Sequence, residues 1–283
     1  MNNVKYALLI SLFHIKSWII NPRTYAIAIC IILYLHSILA PIIQFCLISG
    51  YNITPYLFPY IMCQPITVVL IMLAIVLLFC DAPFIGEEQP YLIMRSGRLP
   101  WLFGTIIYIA LVSIIFFLVV VLFTIVIILP VADLSLGWGK VIGTFAQTMI
   151  ASQYGISIPF SQIIFASYTP QQAMTITFLN SCLIAFMLGM IIFVLNLKFG
   201  KSIGTITAVI IVLWQIAVKK TWSGFIRFSP VSWVSLSNID AFSNSLYPNL
   251  QYVYLVTFFI ILFTICLDIF AVRKRDIQVI RSI

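Results

Sequence analysis

From Trp101 to Leu129 the chain carries no charged residue. A helix rises about 1.5 Å per residue and a bilayer core is crossed by roughly 20 apolar residues, so this run is long enough to span. A helix apolar on every face needs either a large protein core or lipid around it. The rest of the chain has no polar shell to offer: 63% of its 283 residues are hydrophobic and 8% are charged, where a soluble domain is about a quarter charged. Mean hydropathy is +1.16. The chain is therefore expected to be an all-α polytopic membrane protein, in which spans are counted rather than soluble domains. Disordered, disulfide-scaffold and most soluble-enzyme readings fall away.

Six apolar segments qualify as spans, at about 24–48, 57–80, 101–129, 173–197, 203–218 and 252–271. The fifth is the shortest. The second is the least regular, because Pro55, Pro59 and Pro65 crowd its start and a proline removes an intrahelical hydrogen bond. All six cysteines lie inside apolar runs, where a thiol behaves as a small hydrophobe. They have no metal-ligand spacing.

An even number of spans puts both chain ends on one side, and the cations choose the side. With the ends inside, the cytoplasmic segments hold Lys5, Lys16, Arg23, Arg95, Arg98, Lys198, Lys201, Arg273, Lys274, Arg275 and Arg281, and the outer segments hold Lys140, Lys219, Lys220 and Arg227. Eleven against four follows the positive-inside rule. The net charge of +8 is thus spread over span ends and makes no patch for nucleic acid. No small-residue cleavage site follows a short apolar core near the start, so the N-terminal segment is expected to stay.

The loops carry the organisation. The outer connections, 130–172 and 219–251, are far longer than the usual few residues. They are rich in rings: Trp138, Phe145, Tyr154, Phe160, Phe165 and Tyr168 in one, Trp222, Phe225, Phe228, Trp233 and Tyr247 in the other. Tryptophan and tyrosine favour the membrane interface, so short helices on or in the outer leaflet are expected, serving as anchors or lining a substrate exit. The inner connection 81–100 holds Asp81, then Glu87, Glu88, Arg95 and Arg98 between Pro83 and Pro100. A short helix from Glu87 to Met94 would carry acids in its first turn and Arg95 at its end, as the helix dipole favours. Both signs of charge in one loop suggest a docking surface; an ordinary solvated loop is the other reading.

Several chemistries are tested and fail. Gly200-Lys201-Ser202 resembles the end of a phosphate-binding loop, but the required earlier glycine is replaced by Leu195. Glu87-Glu88 is similar to the paired glutamates of intramembrane CAAX-type proteases, but the arginine expected after them is replaced by Leu92. His14 and His36 form no two-histidine helix motif, and a catalytic metal typically needs three protein ligands. No catalytic, cofactor-binding or metal site of the chain's own is expected.

Six spans, a basic N-terminal segment ending in Asn21-Pro22-Arg23, an acidic-then-basic loop between spans 2 and 3, and a long outer segment between spans 5 and 6 together resemble the ABC-2 type permease subunits of bacterial ABC transporters. The resemblance covers nearly the whole chain, in architecture more than in motif. It implies one permease domain over 1–283 in the bacterial plasma membrane, with six transmembrane helices, both termini cytoplasmic and an N-terminal interfacial helix within 1–23. It further implies a coupling helix at about Phe84 to Arg98, separate ATPase subunits that hold ATP and magnesium, a second permease subunit identical or related to this one, and membrane lipids as surroundings. The ATPase-coupling surface would then include Glu87, Glu88, Arg95, Arg98, Lys5 and Lys16. The N-terminal segment is not cleanly amphipathic, which suggests partial burial against the bundle.

Polar residues inside the spans are costly in lipid and are functional-site hypotheses by default. His36 stands near the middle of span 1, and Gln44, Gln64, Asn180, Ser181 and Gln215 are the neutral candidates. They either line a pathway or hold helices together through hydrogen bonds. Asp268, near the inner end of span 6, is expected to pair with the basic cluster that follows it or with a partner at the interface. Two functions follow: the membrane subunit of an ATP-driven exporter of an amphipathic or apolar cargo (antimicrobial peptide, lipid-like molecule or drug), or an ion- or proton-coupled secondary carrier with His36 as its coupling residue.

Overall fold

The computed structural model of the protein describes residues 2–84, 93, 94, 96–200, 202–221, 223–240 and 247–274. Among these, the elements are helices, with two isolated β-bridges, Ile53 with Ala132 and Asp240 with Asn249. We number the helices α1 (Asn2–Ile20), α2 (Pro22–Ser49), α3 (Phe58–Ile61), α4 (Pro65–Phe79), α5 (Arg98–Ile128), α6 (Gly139–Gln147), α7 (Ile150–Gln153), α8 (Gln162–Ser167), α9 (Pro170–Phe199), α10 (Ile203–Thr221) and α11 (Leu250–Lys274). Short 3-10 turns cover Leu129–Val131, Ser223–Phe228, Pro230–Val234 and Leu236–Asn238.

Four helices are long and apolar enough to cross a membrane: Pro22–Ser49, Arg98–Val131 with its 3-10 extension, Pro170–Phe199 and Leu250–Val272. They coincide with expected spans 1, 3, 4 and 6 to within a few residues. The other two expected spans are shorter apolar helices, Pro65–Phe79 and Ile203–Val218. Span 2 breaks where its prolines stand: Pro59 lies in the one-turn α3, the chain leaves helix at Met62–Gln64, and Pro65 opens α4. A proline at the first helical position gives up no internal bond. The same device opens α2, where Pro22 follows Asn21, whose side chain accepts from the Arg23 N–H. It also opens α9, where Thr169 and Gln172 form a reciprocal capping box around Pro170.

The bundle is built around α9, which packs against α4, α5, α10 and α11. Its most apolar window is 67% buried, against 22% for that of α2 and 28% for that of α11. Gly189 lets α5 and α4 come close: a Cβ there would stand 2.5 Å from Ile109 Cγ2 and 3.0 Å from the Phe79 ring. Close approach through small residues is how helices gain packing in lipid, where transfer from water supplies little. The 3-10 turn Pro230–Val234 reaches in among α4, α9, α10 and α11.

Candidate functional site at the α1 end of the bundle

The N-terminal helix lies along α5. Ala7, Ile10, Ser11 and His14 are buried, at spacings of three and four that define one helix face. Gly104 of α5 makes the approach possible: a Cβ there would be 2.8 Å from both the Ala7 carbonyl oxygen and the Ile10 side chain. The expected partial burial of this helix is met. Lys5 and Lys16 stay exposed on its other side.

His14 joins this helix to Phe84, just beyond the end of α4. Its ring centroid is 5.8 Å from Phe84 and 5.2 Å from Tyr108, and Phe84 is 5.0 Å from Tyr108. Phe84 adopts a left-handed backbone (φ 58), a rare conformation for a bulky residue, and its ring packs against both of the others. Burial lowers the His14 pKa to about 4, so the imidazole is neutral at physiological pH.

Two further ties converge on the start of the inner connection. Arg23 Nη1 is 2.6 Å from Asp81 Oδ2, joining the start of α2 to the end of α4. Asn196 uses both ends of its buried amide: Nδ2 donates to the Ala82 carbonyl at 2.8 Å, and Oδ1 accepts from the Gly204 N–H at 2.8 Å. One side chain thereby holds α9, the first turn of α10 and the exit of α4 together. Arg98, at the head of α5, donates from Nη1 to the Val272 carbonyl of α11 at 3.5 Å. The first residues of α5, the last turn of α9 and the last turn of α11 thus share one end of the molecule, where Trp101 and Phe193 pack at 5.9 Å.

Of the expected coupling residues, Lys5, Lys16 and Arg98 stand at or near this end; Glu87, Glu88, Arg95 and the helix from Glu87 to Met94 lie outside the described residues, Ile93 and Met94 excepted. The intramembrane candidates separate into two groups. His36 and Gln44 are exposed on α2, on the outside of the bundle. Gln64 is half-buried and accepts from Thr67 Oγ1, which also pairs with Tyr34 Oη across to α2. Asn180, Ser181 and Gln215 are buried. Asn180 Nδ2 donates to the Trp233 carbonyl at 3.3 Å and Ser181 Oγ to the Thr177 carbonyl at 2.7 Å. Asn180 Oδ1, Gln215 Oε1 and Thr177 Oγ1 have no hydrogen-bond partner. The expected role of holding elements together is met by Asn180 directly and by Gln64 through Thr67, whereas the Ser181 bond stays within α9. Asp268 has no hydrogen-bond partner for either carboxylate oxygen, and the side chains of the basic cluster that follows it lie outside the described residues.

Sequence reasoning missed the roles of His14, Asn196 and Gly104. An asparagine one turn from a helix-ending Gly200, and a glycine inside an otherwise bulky span, were the signals present. Among the described residues no group of three or more His, Cys, Asp or Glu could hold a metal ion.

The opposite end is built from rings. Tyr60 lies 5.2 Å from Trp138 and 5.0 Å from Phe160, Phe145 lies 5.0 Å from Phe160, and Phe45 lies 4.9 Å from both Phe145 and Tyr154. Trp138 Nε1 donates to the Tyr168 carbonyl at 3.0 Å. The 130–172 segment thus forms the expected short helices and folds its rings onto α2 and α3. In the 219–251 segment Trp233 is buried while Phe225, Phe228 and Tyr247 are exposed, and Trp222 lies outside the described residues. No family model, curated protein or solved structure matches the chain, so its functional reading rests on this geometry.

Proposed function

We propose that the chain is the membrane-spanning subunit of an ATP-driven exporter, with ATP and magnesium held by a separate ATPase subunit and a second permease subunit completing the pathway. The observation that supports this reading is the docking of α1, through His14, against Phe84 and Tyr108. It fuses an N-terminal helix, the inner loop and the head of α5 into one platform at one end of the bundle. A chain without its own nucleotide site is driven through such a contact. In this reading the six expected spans cross the bacterial plasma membrane, with α3 and α4 forming a broken second crossing and α10 a short fifth. Both termini and the platform face the cytoplasm, following the distribution of cations. The buried polar groups described between the helices are mostly uncharged, which suits an amphipathic or apolar cargo better than a hydrophilic ion.

The test reverses the acids of the loop. Glu87→Lys with Glu88→Lys is expected to weaken association with the ATPase and uncouple hydrolysis from transport, because truncating or reversing one side of a buried interfacial charge pair costs about 2–5 kcal/mol. Normal membrane insertion with unchanged ATPase binding would overturn the platform assignment, and the lack of any co-purifying ATPase would overturn the exporter reading. Single cysteines at Ser96 and Ser152, in a cysteine-free background, are expected to react with an impermeant reagent from opposite sides of the membrane.

A further inference from the structure

The outward faces of the long helices are not alike. The exposed side chains of α5 include Ile114, Leu118, Leu122 and Val126, and those of α11 include Leu255, Phe258, Leu262 and Phe263. Such faces suit lipid, which offers no hydrogen bonds. The outward face of α2 is different. This helix is the least buried of the four, at 22% over its most apolar window, and it exposes His36, Ser37 and Gln44 inside the span. The Ser37 hydroxyl donates to the Tyr34 carbonyl of its own helix at 2.7 Å. The His36 ring and the Gln44 amide make no hydrogen bond among the described residues. A polar side chain set against acyl chains is costly unless another helix supplies its partner.

Spacing points the same way. Cys30, Leu33, Ser37, Ala40, Gln44 and Leu47 follow at alternating steps of three and four, and all but the half-buried Ala40 are exposed. That is the 3.5-residue period of a seam between two supercoiled helices. It runs opposite to Leu35, Leu39, Ile42 and Cys46, which α2 buries in its own bundle. Small side chains at Cys30, Ser37 and Ala40 allow a second helix to come close.

We propose that this stripe is where α2 meets the α2 of a second copy of the chain. Two copies in one membrane share a topology, so a two-fold axis along the membrane normal sets their α2 helices parallel and each stripe residue against its own counterpart. The polar groups are self-complementary in that arrangement. The Gln44 amide both donates and accepts, and pairs with Gln44 of the second copy. His36 stands beside Ser37 at the edge of the seam, where a ring N–H donates to the Ser37 hydroxyl oxygen across it. No charge stands on the stripe, so nothing in it calls for an oppositely charged protein. The inference names the face that receives the second permease subunit, and it rests on the exporter reading only for what the dimer does.

Disulfide trapping of the full-length chain in lipid vesicles tests it. No ATPase is present, so the outcome is separate from that of the exporter reading. Two variants keep one native cysteine each, Cys30 on the stripe or Cys266, which is exposed on α11. On oxidation with copper phenanthroline, Cys30 is expected to give a covalent dimer and Cys266 none. In a cysteine-free background Ser37→Cys is expected to follow Cys30, and Ile31→Cys, packed against the chain's own core, to follow Cys266. The absence of a dimer through Cys30, or equal trapping through Cys266, overturns the proposal; so does capture of Cys30 by a different protein alone in cell membranes. A second measurement separates a protein neighbour from lipid. His36→Leu with Gln44→Leu is expected to keep the fold, both residues being exposed, and to raise the dimer dissociation constant in vesicles about tenfold through lost interhelical hydrogen bonds. Leucine suits a lipid-facing surface, so an unchanged or lower constant overturns the proposal.

Discussion

The two ends of the bundle are held by different physics. At the α1 end a few side chains make directed polar contacts, Asn196 to Ala82 and Gly204 and Arg23 to Asp81, beside the small ring cluster of His14, Phe84 and Tyr108. At the other end Tyr60, Trp138, Phe145 and Phe160 hold by area and ring packing. Directed contacts have a small number of satisfied states, so an end built from them can exist in two arrangements and respond to a partner. A packed aromatic cluster loses gradually and has no second arrangement ready. The responsive end is therefore the one whose helices are tied by the Asn196 and Arg23 contacts.

The largest effect is expected where most area is lost. Trp138→Ala should destabilise the folded chain by about 3–5 kcal/mol and open the α6 to α8 segment to hydrogen exchange, leaving α1 protected. Equal opening of both ends would erase the distinction between them. Gly104→Val should cost about 1–3 kcal/mol through overpacking, because its Cβ would meet the Ala7 carbonyl at 2.8 Å. Its signature is proteolytic access to α1 with the aromatic end intact, and retained protection of α1 would mean that α5 yields instead.

How much of this was legible in the sequence depends on the kind of contact. The four long helices were placed to within a few residues, since a run of apolar residues long enough to cross lipid has few other fates. The break in span 2 was legible in Pro59 and Pro65. Which face of a helix turns inward was not. In a span apolar all round there is no contrast to orient it, so the sequence left open whether His36 and Gln44 line a pathway or hold helices together; both stand exposed on α2. The inward face of α1 carries Ser11 and His14 beside Ala7 and Ile10, a mixture with no amphipathic signal. Asn196 and Asp268 were beyond reach because their meaning lies in what another helix brings, or fails to bring, to them.

A sharper probe of the directed end is Asn196→Leu, which strands the Ala82 carbonyl and the Gly204 N–H at once. A loss of about 1–3 kcal/mol is expected for the stranded groups, read as a lower melting temperature; a neutral result would make the tie incidental. The smallest effect is a pH dependence. His14 has a folded-state pKa of about 4 against an ordinary 6.5, so the undocked helix takes up a proton that the docked one refuses. Docking is unaffected well above pH 6.5 and weakens as pH falls toward 4, by about 1.4 kcal/mol one pH unit below 6.5. Protease access to α1 should rise over that range in the wild type and stay flat in His14→Phe.

The central place of α9 has a consequence for how the chain is made. Its neighbours α4 and α5 are synthesised before it, and α10 and α11 after it. During synthesis the first helices must wait in the membrane without the element they will surround, and they cannot close into the final arrangement until Pro170–Phe199 arrives. The 130–172 segment sets the length of that wait. A chain stopped before Pro170 would hold every helix of the first half and still lack the axis that makes them a bundle, so early termination should yield an inserted but unassembled protein, a substrate for membrane quality control.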